Sequence, residues 1–167
     1  GRIDTPIVEK AELFEKGVGE ATDIVEKQMF TLRSGTDKLV LRPEGTAAVV
    51  RAFLEHGFSR LPQPVKLYYI GPMFRKERPQ EGRFRQFHQA GFEIIGDGND
   101  PIYDAQIILT CYRLLESLKI KNLDVQINTI GCKLCRPDYR RRLIDYYRKK
   151  DVCDNCQRRL KTNPLRI

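Results

Sequence analysis

Two stretches of about ten residues dominate what this chain can fold into: "VKLYYIGPMFR" at 65–75 and "FRQFHQAGFEII" at 84–95, joined through the charged loop "KERPQEGRF". Strands this close in sequence pair as an antiparallel hairpin. Side chains alternate across a strand. In the second strand the even set, Gln86, His88, Ala90, Phe92 and Ile94, turns apolar toward its end and is expected to pack on helices. The odd set, Arg85, Phe87, Gln89, Gly91 and Glu93, is expected to floor a pocket. Gly91 there would let a ligand lie against backbone, with Gln89 and Glu93 about 13 Å apart on either side of it. Tyr69, Gly71, Met73 and Arg75 share parity in the first strand. An odd-with-odd register brings Arg75 onto the same face, and a slip of one residue removes it.

The rest of the chain supplies helices around this hairpin. Residues 9–16 form a short helical pattern stopped at Gly17 and Gly19, and strand patterns follow at 28–32 and 37–42 around "RSGT". In "PEGTAAVVRAFLEHG", Pro43 suits a first helical position and Gly57 a helix end. Asp100 is the expected N-cap of a helix opening at Pro101, whose stripe of Ile108, Cys111, Leu115 and Leu118 is expected to be core. A strand is expected at 123–131 and helices at 137–150 and 154–160. The strands join through hairpins, so the fold class is α+β with an antiparallel sheet. Of the two histidines, His56 reads as a surface neighbour of a helix end and His88 as a structural residue of the packed face.

Charge narrows the ligand. The loop and its exit carry Lys76, Glu77, Arg78, Arg83 and Arg85, and arginine grips phosphate through two nitrogens without losing its proton. Glu44 and Thr46 stand at a strand-to-helix corner, where Glu44 either caps the helix or pairs with an ammonium group. Acidic groups at Glu44 and Glu93 beside a cationic wall at Arg75 and Arg83 suit an amino acid lying next to a polyphosphate. The net charge of +8 is concentrated: residues 131–167 hold twelve Lys and Arg against four acids. "RPDYRRRLIDYYRKK" interleaves those cations with tyrosines and points to a nucleic-acid partner. Cys132, Cys135, Cys153 and Cys156 form two Cys-x-x-Cys pairs with seventeen residues between them, the spacing of a structural four-thiolate zinc site. No apolar run is long enough for a membrane span or a signal peptide, so a cytoplasmic chain is expected.

The strings "TPIVEKAELFEKGVGEATDIV", "LRPEGT", "GPMFRKERPQEGRFRQFHQAGFEIIG" and "TNPLRI" together resemble the catalytic domain of bacterial-type histidyl-tRNA synthetases, which are class II aminoacyl-tRNA synthetases. The long central string is similar to the family's motif 2, and Pro6 to the end of the dimer-forming motif 1. The resemblance implies a class II antiparallel sheet flanked by helices over 1–130, running from the end of motif 1 through motif 2. Residues 131–167 would form a basic zinc-knuckle helical appendage, a part resting on cysteine spacing alone. It implies ATP-dependent activation of histidine to histidyl-adenylate and transfer to tRNA(His), with magnesium accompanying ATP, and a homodimeric full-length enzyme. By position, Arg75 would be catalytic on the α-phosphate, with Glu77 and Arg83 on other parts of ATP. Glu44, Thr46 and Gln89 would take the substrate ammonium, and Glu93 the imidazole. Arg78 and Gln80 would meet the tRNA acceptor end. The family's later "RGLDYY"-type segment, motif 3 and anticodon-binding domain have no counterpart in this sequence. Two other readings are a regulatory paralogue of the ATP phosphoribosyltransferase regulatory-subunit type and a zinc-containing RNA-binding module.

Overall fold

The computed structural model describes residues 1–167 apart from 20, 21, 23, 79, 97–99 and 130, and gives the backbone alone at 26 and 34. Two compact units emerge, Gly1–Ile120 and Lys121–Ile167. In the first, strand β1 (Val8–Lys10) leads into helix α1 (Ala11–Val18), and β2 (Phe30–Ser34) and β3 (Asp37–Leu41) form a hairpin. The turn between β2 and β3 holds Gly35 at φ +61°, which glycine adopts without strain. β3 is the middle strand of a three-stranded antiparallel sheet, order β1-β3-β2. Helix α2 (Thr46–Glu55) follows, and then β4 (Val65–Phe74) and β5 (Gln86–Ile95) pair as the long antiparallel hairpin. Helix α3 (Pro101–Ser117) closes the unit, capped by Asp100, whose side chain accepts from the Ile102 amide at 2.9 Å.

Helix α2 joins the two sheets because almost all of its faces are apolar: Ala47, Ala48, Val49, Ala52 and Phe53 are all buried. Toward the three-stranded sheet, Ala47 packs with Ala11, Phe14, Met29 and Val40. Toward the hairpin, Val49 packs with Tyr69 and Met73, flanked by Ile3, Leu67, Phe87 and Ile95. Arg42 ties the same corner together from inside. It is 7% exposed and donates to the Thr5 carbonyl and hydroxyl (2.5 and 3.1 Å) and to the Pro72 carbonyl (2.9 Å). Gly71 leaves the room for it, since a Cβ there would stand 2.5 Å from Arg42 Nη2.

The structure corrects several expectations from sequence. Helix α2 begins at Thr46, and Pro43 lies buried ahead of it in the corner, so Pro43 is not a first helical residue. The packed face of the hairpin is the odd one, because α2 lies against it; on the even face Tyr68 and Ile70 are 40% and 58% exposed. His88, on that even face, is therefore exposed. The α3 stripe is not core either: Cys111 is half-buried and Leu118 is 62% exposed. Helix α3 meets the hairpin through polar contacts instead, with Lys66 Nζ bonded to Gln106 at 2.8 Å and lying over the Tyr103 ring. Residues 123–129 alternate apolar and polar but form no strand, and Ile130 lies outside the described residues. A strand exists only through its ladder partner, and the unit holding this segment contains no other strand among its described residues.

In the second unit, helices α4 (Cys135–Arg148) and α5 (Asp154–Thr162) both pack on the 3₁₀ turn Pro164–Arg166. Pro164 is the one buried residue among those described in this unit. No helix among the described residues is long and apolar enough to cross a membrane.

Candidate functional site

The hairpin register pairs odd with odd: Gly71 with Gln89, Tyr69 with Gly91, Leu67 with Glu93. One residue beyond β4, the Arg75 amide bonds the Arg85 carbonyl at 2.9 Å, so the pairing continues and Arg75 keeps the parity of the odd face. Its guanidinium is held on two sides. Nε donates to the Pro43 carbonyl at 2.9 Å, and the plane lies 5.0 Å from the centre of the Phe87 ring. Its terminal nitrogens have no partner among the described residues. Glu93 projects from the same face and accepts from the Thr46 hydroxyl at 2.7 Å. Arg75, Gln89 and Glu93 therefore line one side of the ribbon, with the α2 N-terminus against it.

Glu44 takes the capping role. Its two carboxylate oxygens accept from the amides of Thr46 (2.6 Å) and Ala47 (3.0 Å), satisfying two of the donors that a helix N-terminus leaves open. Burial pushes the Glu93 carboxyl above its usual range; the Thr46 hydrogen bond opposes this and the nearby Glu44 carboxylate adds to it.

Gly91 does not leave open floor. A Cβ at Gly91 would lie 2.2–2.5 Å from Tyr69 ring and hydroxyl atoms, and one at Gly45 would lie 2.3–2.7 Å from the same side chain. Both glycines exist to seat the Tyr69 ring, which is 6% exposed. The Gln89 amide donates to the Tyr69 hydroxyl at 3.0 Å. Burial raises the phenol above its ordinary range. Sequence reasoning missed Tyr69. The available signal was an aromatic residue directly across the pair from a strand glycine, an arrangement in which the ring covers the bare backbone.

The loop beyond the ribbon is a small turn of its own. Gln80 and Arg83 exchange backbone hydrogen bonds around Gly82, which sits at φ +74°. Arg83 Nη1 lies 3.8 Å from Glu77, which is the better buried of the two, and the Glu77 amide bonds the Arg75 carbonyl at 2.8 Å. Arg75, Glu77 and Arg83 thus share one end of the ribbon, and Arg78 and Gln80 are exposed at the tip. A groove of about 890 Å³ runs between α1 and α2, lined by Pro6, Leu13, Val50 and Leu54 among others, and reaches Glu44 and Thr46.

The four cysteines do not form the single cluster that their spacing suggested: no group of three or more metal-ligating side chains converges among the described residues. Instead there are two pairs. Cys132 and Cys135 hold their sulfurs 3.6 Å apart at the start of α4, with the Cys132 amide donating to Cys135 Sγ at 3.1 Å. Cys153 stands at the N-cap of α5 and Cys156 in its first turn. Backbone N–H groups at these helix starts pull the Cys132 and Cys153 thiols below their ordinary range. Helix α4 separates the pairs along the chain as a rod of about 20 Å. Its positive charge is partly neutralised locally, with Arg141 and Arg142 on Asp138 and Arg148 near Asp145.

The family profile described as histidyl-tRNA synthetase matches residues 1–154. The chain is 52% identical over its whole length to a histidine–tRNA ligase of Desulforamulus reducens and 51% identical to that of Desulforudis audaxviator. It spans about 40% of the length of these curated relatives. Among solved structures, the apo histidyl-tRNA synthetase of S. aureus superposes with a TM-score of 0.76 at 38% identity, covering 99% of this chain and 39% of that one. These relatives are ligases throughout and not regulatory subunits, so the chain belongs to the histidyl-tRNA synthetase family.

Proposed function

We propose that the ribbon and the α2 N-terminus hold the histidine and α-phosphate portions of an amino-acid-activating site. One carboxylate oxygen of histidine attacks the α-phosphorus of ATP, the bond to the bridging oxygen breaks, and pyrophosphate leaves. The terminal ribose hydroxyl of tRNA(His) then attacks the carbonyl carbon of histidyl-adenylate, and AMP leaves. Neither step needs a covalent enzyme intermediate, so positioning and charge stabilisation carry the catalysis. Arg75 suits the α-phosphate because Pro43 and Phe87 fix its guanidinium while the terminal nitrogens remain available. Glu77 and Arg83 hold other parts of ATP, whose phosphates arrive with magnesium. Glu44, Thr46 and Gln89 receive the ammonium, and Glu93 accepts from the imidazole. Arg78 and Gln80 approach the tRNA end.

The observation that carries this reading is that Arg75 and Glu93 project from one face of the ribbon with Gln89 between them. Calorimetry of the chain with histidine tests it: binding is expected, and Glu93→Ala is expected to abolish it. Histidine-dependent exchange of pyrophosphate into ATP by the full-length parent tests the chemistry. A folded chain with no histidine affinity, or a parent without exchange, refutes it.

Three further parts belong to the same proposal. The exposed apolar lining of the α1–α2 groove, with Pro6 on it, receives a second copy in the full-length enzyme. The enzyme works in the cytoplasm, where tRNA and ATP are. A structural zinc binds the cysteines of 131–167: the 3.6 Å separation of Cys132 and Cys135 is close to the roughly 3.8 Å edge of a tetrahedral zinc–thiolate site. Residues 149–153 would then bring the second pair to the first. A unit with so little buried surface gains most from such a staple. One zinc per chain, lost with unfolding of α4 and α5 on chelation, is expected from metal analysis and circular dichroism. Free titration of all four thiols at 132, 135, 153 and 156, with no metal, overturns it.

A further inference from the structure

Resting on the histidine-site reading, we propose that Tyr69 is a positioning residue that turns the Gln89 carbonyl oxygen toward the substrate ammonium by holding the Nε2 end of the same amide. The Gln89 Nε2 group donates to the Tyr69 hydroxyl at 3.0 Å. Beside them Thr46 spends its one hydroxyl proton on Glu93 at 2.7 Å.

With Nε2 committed to Tyr69, the amide cannot flip, and Oε1 remains as a fixed acceptor with no partner among the described residues. An ammonium group needs acceptors, and a freely rotating amide would present its NH₂ donors to it as often as its oxygen. The buried ring is itself immobile, wedged between Gly45 and Gly91 with both would-be Cβ positions inside contact distance. The glycines fix the ring, the ring fixes the hydroxyl, and the hydroxyl fixes the amide.

Tyr69→Phe keeps the ring and removes only the link. The test compares this variant with the parent chain using two ligands, histidine and its deaminated analogue imidazolepropionate, by calorimetry. Histidine affinity is expected to fall about tenfold, the size of a hydrogen bond to a charged group, while imidazolepropionate affinity is unchanged. Equal weakening of both ligands makes Tyr69 a packing residue only, and unchanged histidine binding also overturns the proposal. A second readout needs no ligand. In ¹⁵N spectra the Gln89 side-chain amide, assigned by its loss in Gln89→Glu, is expected to show one hydrogen-bonded proton that moves to the free-amide position in Tyr69→Phe. No movement overturns the proposal. If the parent chain binds neither ligand, the histidine reading falls, and the amide spectrum still decides Tyr69.

Discussion

Alanine at Gly91 is expected to be among the costliest single-carbon additions in the first unit. The added Cβ would stand 2.2 Å from Tyr69 Cζ, 2.4 Å from the hydroxyl oxygen and 2.5 Å from Cε1. Carbon atoms rest at about 3.5–4.0 Å, so the overlap exceeds about 1 Å at several atoms at once. The ring cannot slide away, because Gly45 closes the other side at similar distances. Nor is the backbone the obstacle, since Gly91 is not among the glycines with positive φ. Overpacking of this kind costs about 2 kcal/mol, which lowers Tm by about 8 °C for a unit of this size. The chain contains no tryptophan, so melting is best followed by far-UV circular dichroism. The cause is isolated by a double-mutant cycle. Tyr69→Ala alone costs about 3–5 kcal/mol as a large-to-small change. In that background Gly91→Ala no longer meets a ring, and it is expected to stabilise by about 0.5 kcal/mol because alanine loses less backbone entropy in a strand. The coupling between the two positions then amounts to about 2.5 kcal/mol. If Gly91→Ala costs the same with and without the Tyr69 ring, or costs nothing in the parent, Gly91 does not exist to seat Tyr69.

Three further outcomes follow from the same corner. The Glu93 carboxyl is raised by burial, so its contribution to stability is fully present below the ordinary carboxylate range and is lost as pH rises through the raised value. Glu93→Gln is therefore expected to match or exceed the parent in urea unfolding at pH 7, with the advantage vanishing below about pH 4; a variant less stable at pH 7 than at pH 4, relative to the parent, contradicts this. Arg42→Ala strands the Thr5 and Pro72 carbonyls inside the corner and is expected to cost about 3 kcal/mol in the same assay. Asp100→Ala removes the bond to the Ile102 amide and is expected to cost about 1 kcal/mol, seen first as fraying of α3 in amide exchange.

Local rules made the hairpin legible. Period-two alternation, two glycines and a charged loop between the strands were enough to place β4 and β5 and to put Arg75, Gln89 and Glu93 on one face once the register paired odd with odd. Asp100 with Pro101 announced the start of α3, and Gly57, at φ +64°, the end of α2. The misses were tertiary. Which face of a ribbon is packed depends on where the next helix lands, and no pattern within β5 says that α2 lies on the odd side.

That α2 and the site share a face explains why Tyr69 was invisible to a search for ligand-binding residues. Side chains sort into core and pocket in a sequence, and Tyr69 belongs to both: its ring is packed with Val49 and Met73, while its hydroxyl reaches Gln89. Tyrosine can do this because its apolar body and polar tip are rigidly joined at opposite ends. The same economy applies to Arg75, whose guanidinium is braced by Phe87 and the Pro43 carbonyl. In each case the orientation of a polar group is set by packing that also stabilises the fold, so substitutions in this corner should move stability and ligand affinity together. Tyr69→Phe is the exception that separates them, because it removes the hydrogen bond from Gln89 and leaves the packed ring in place.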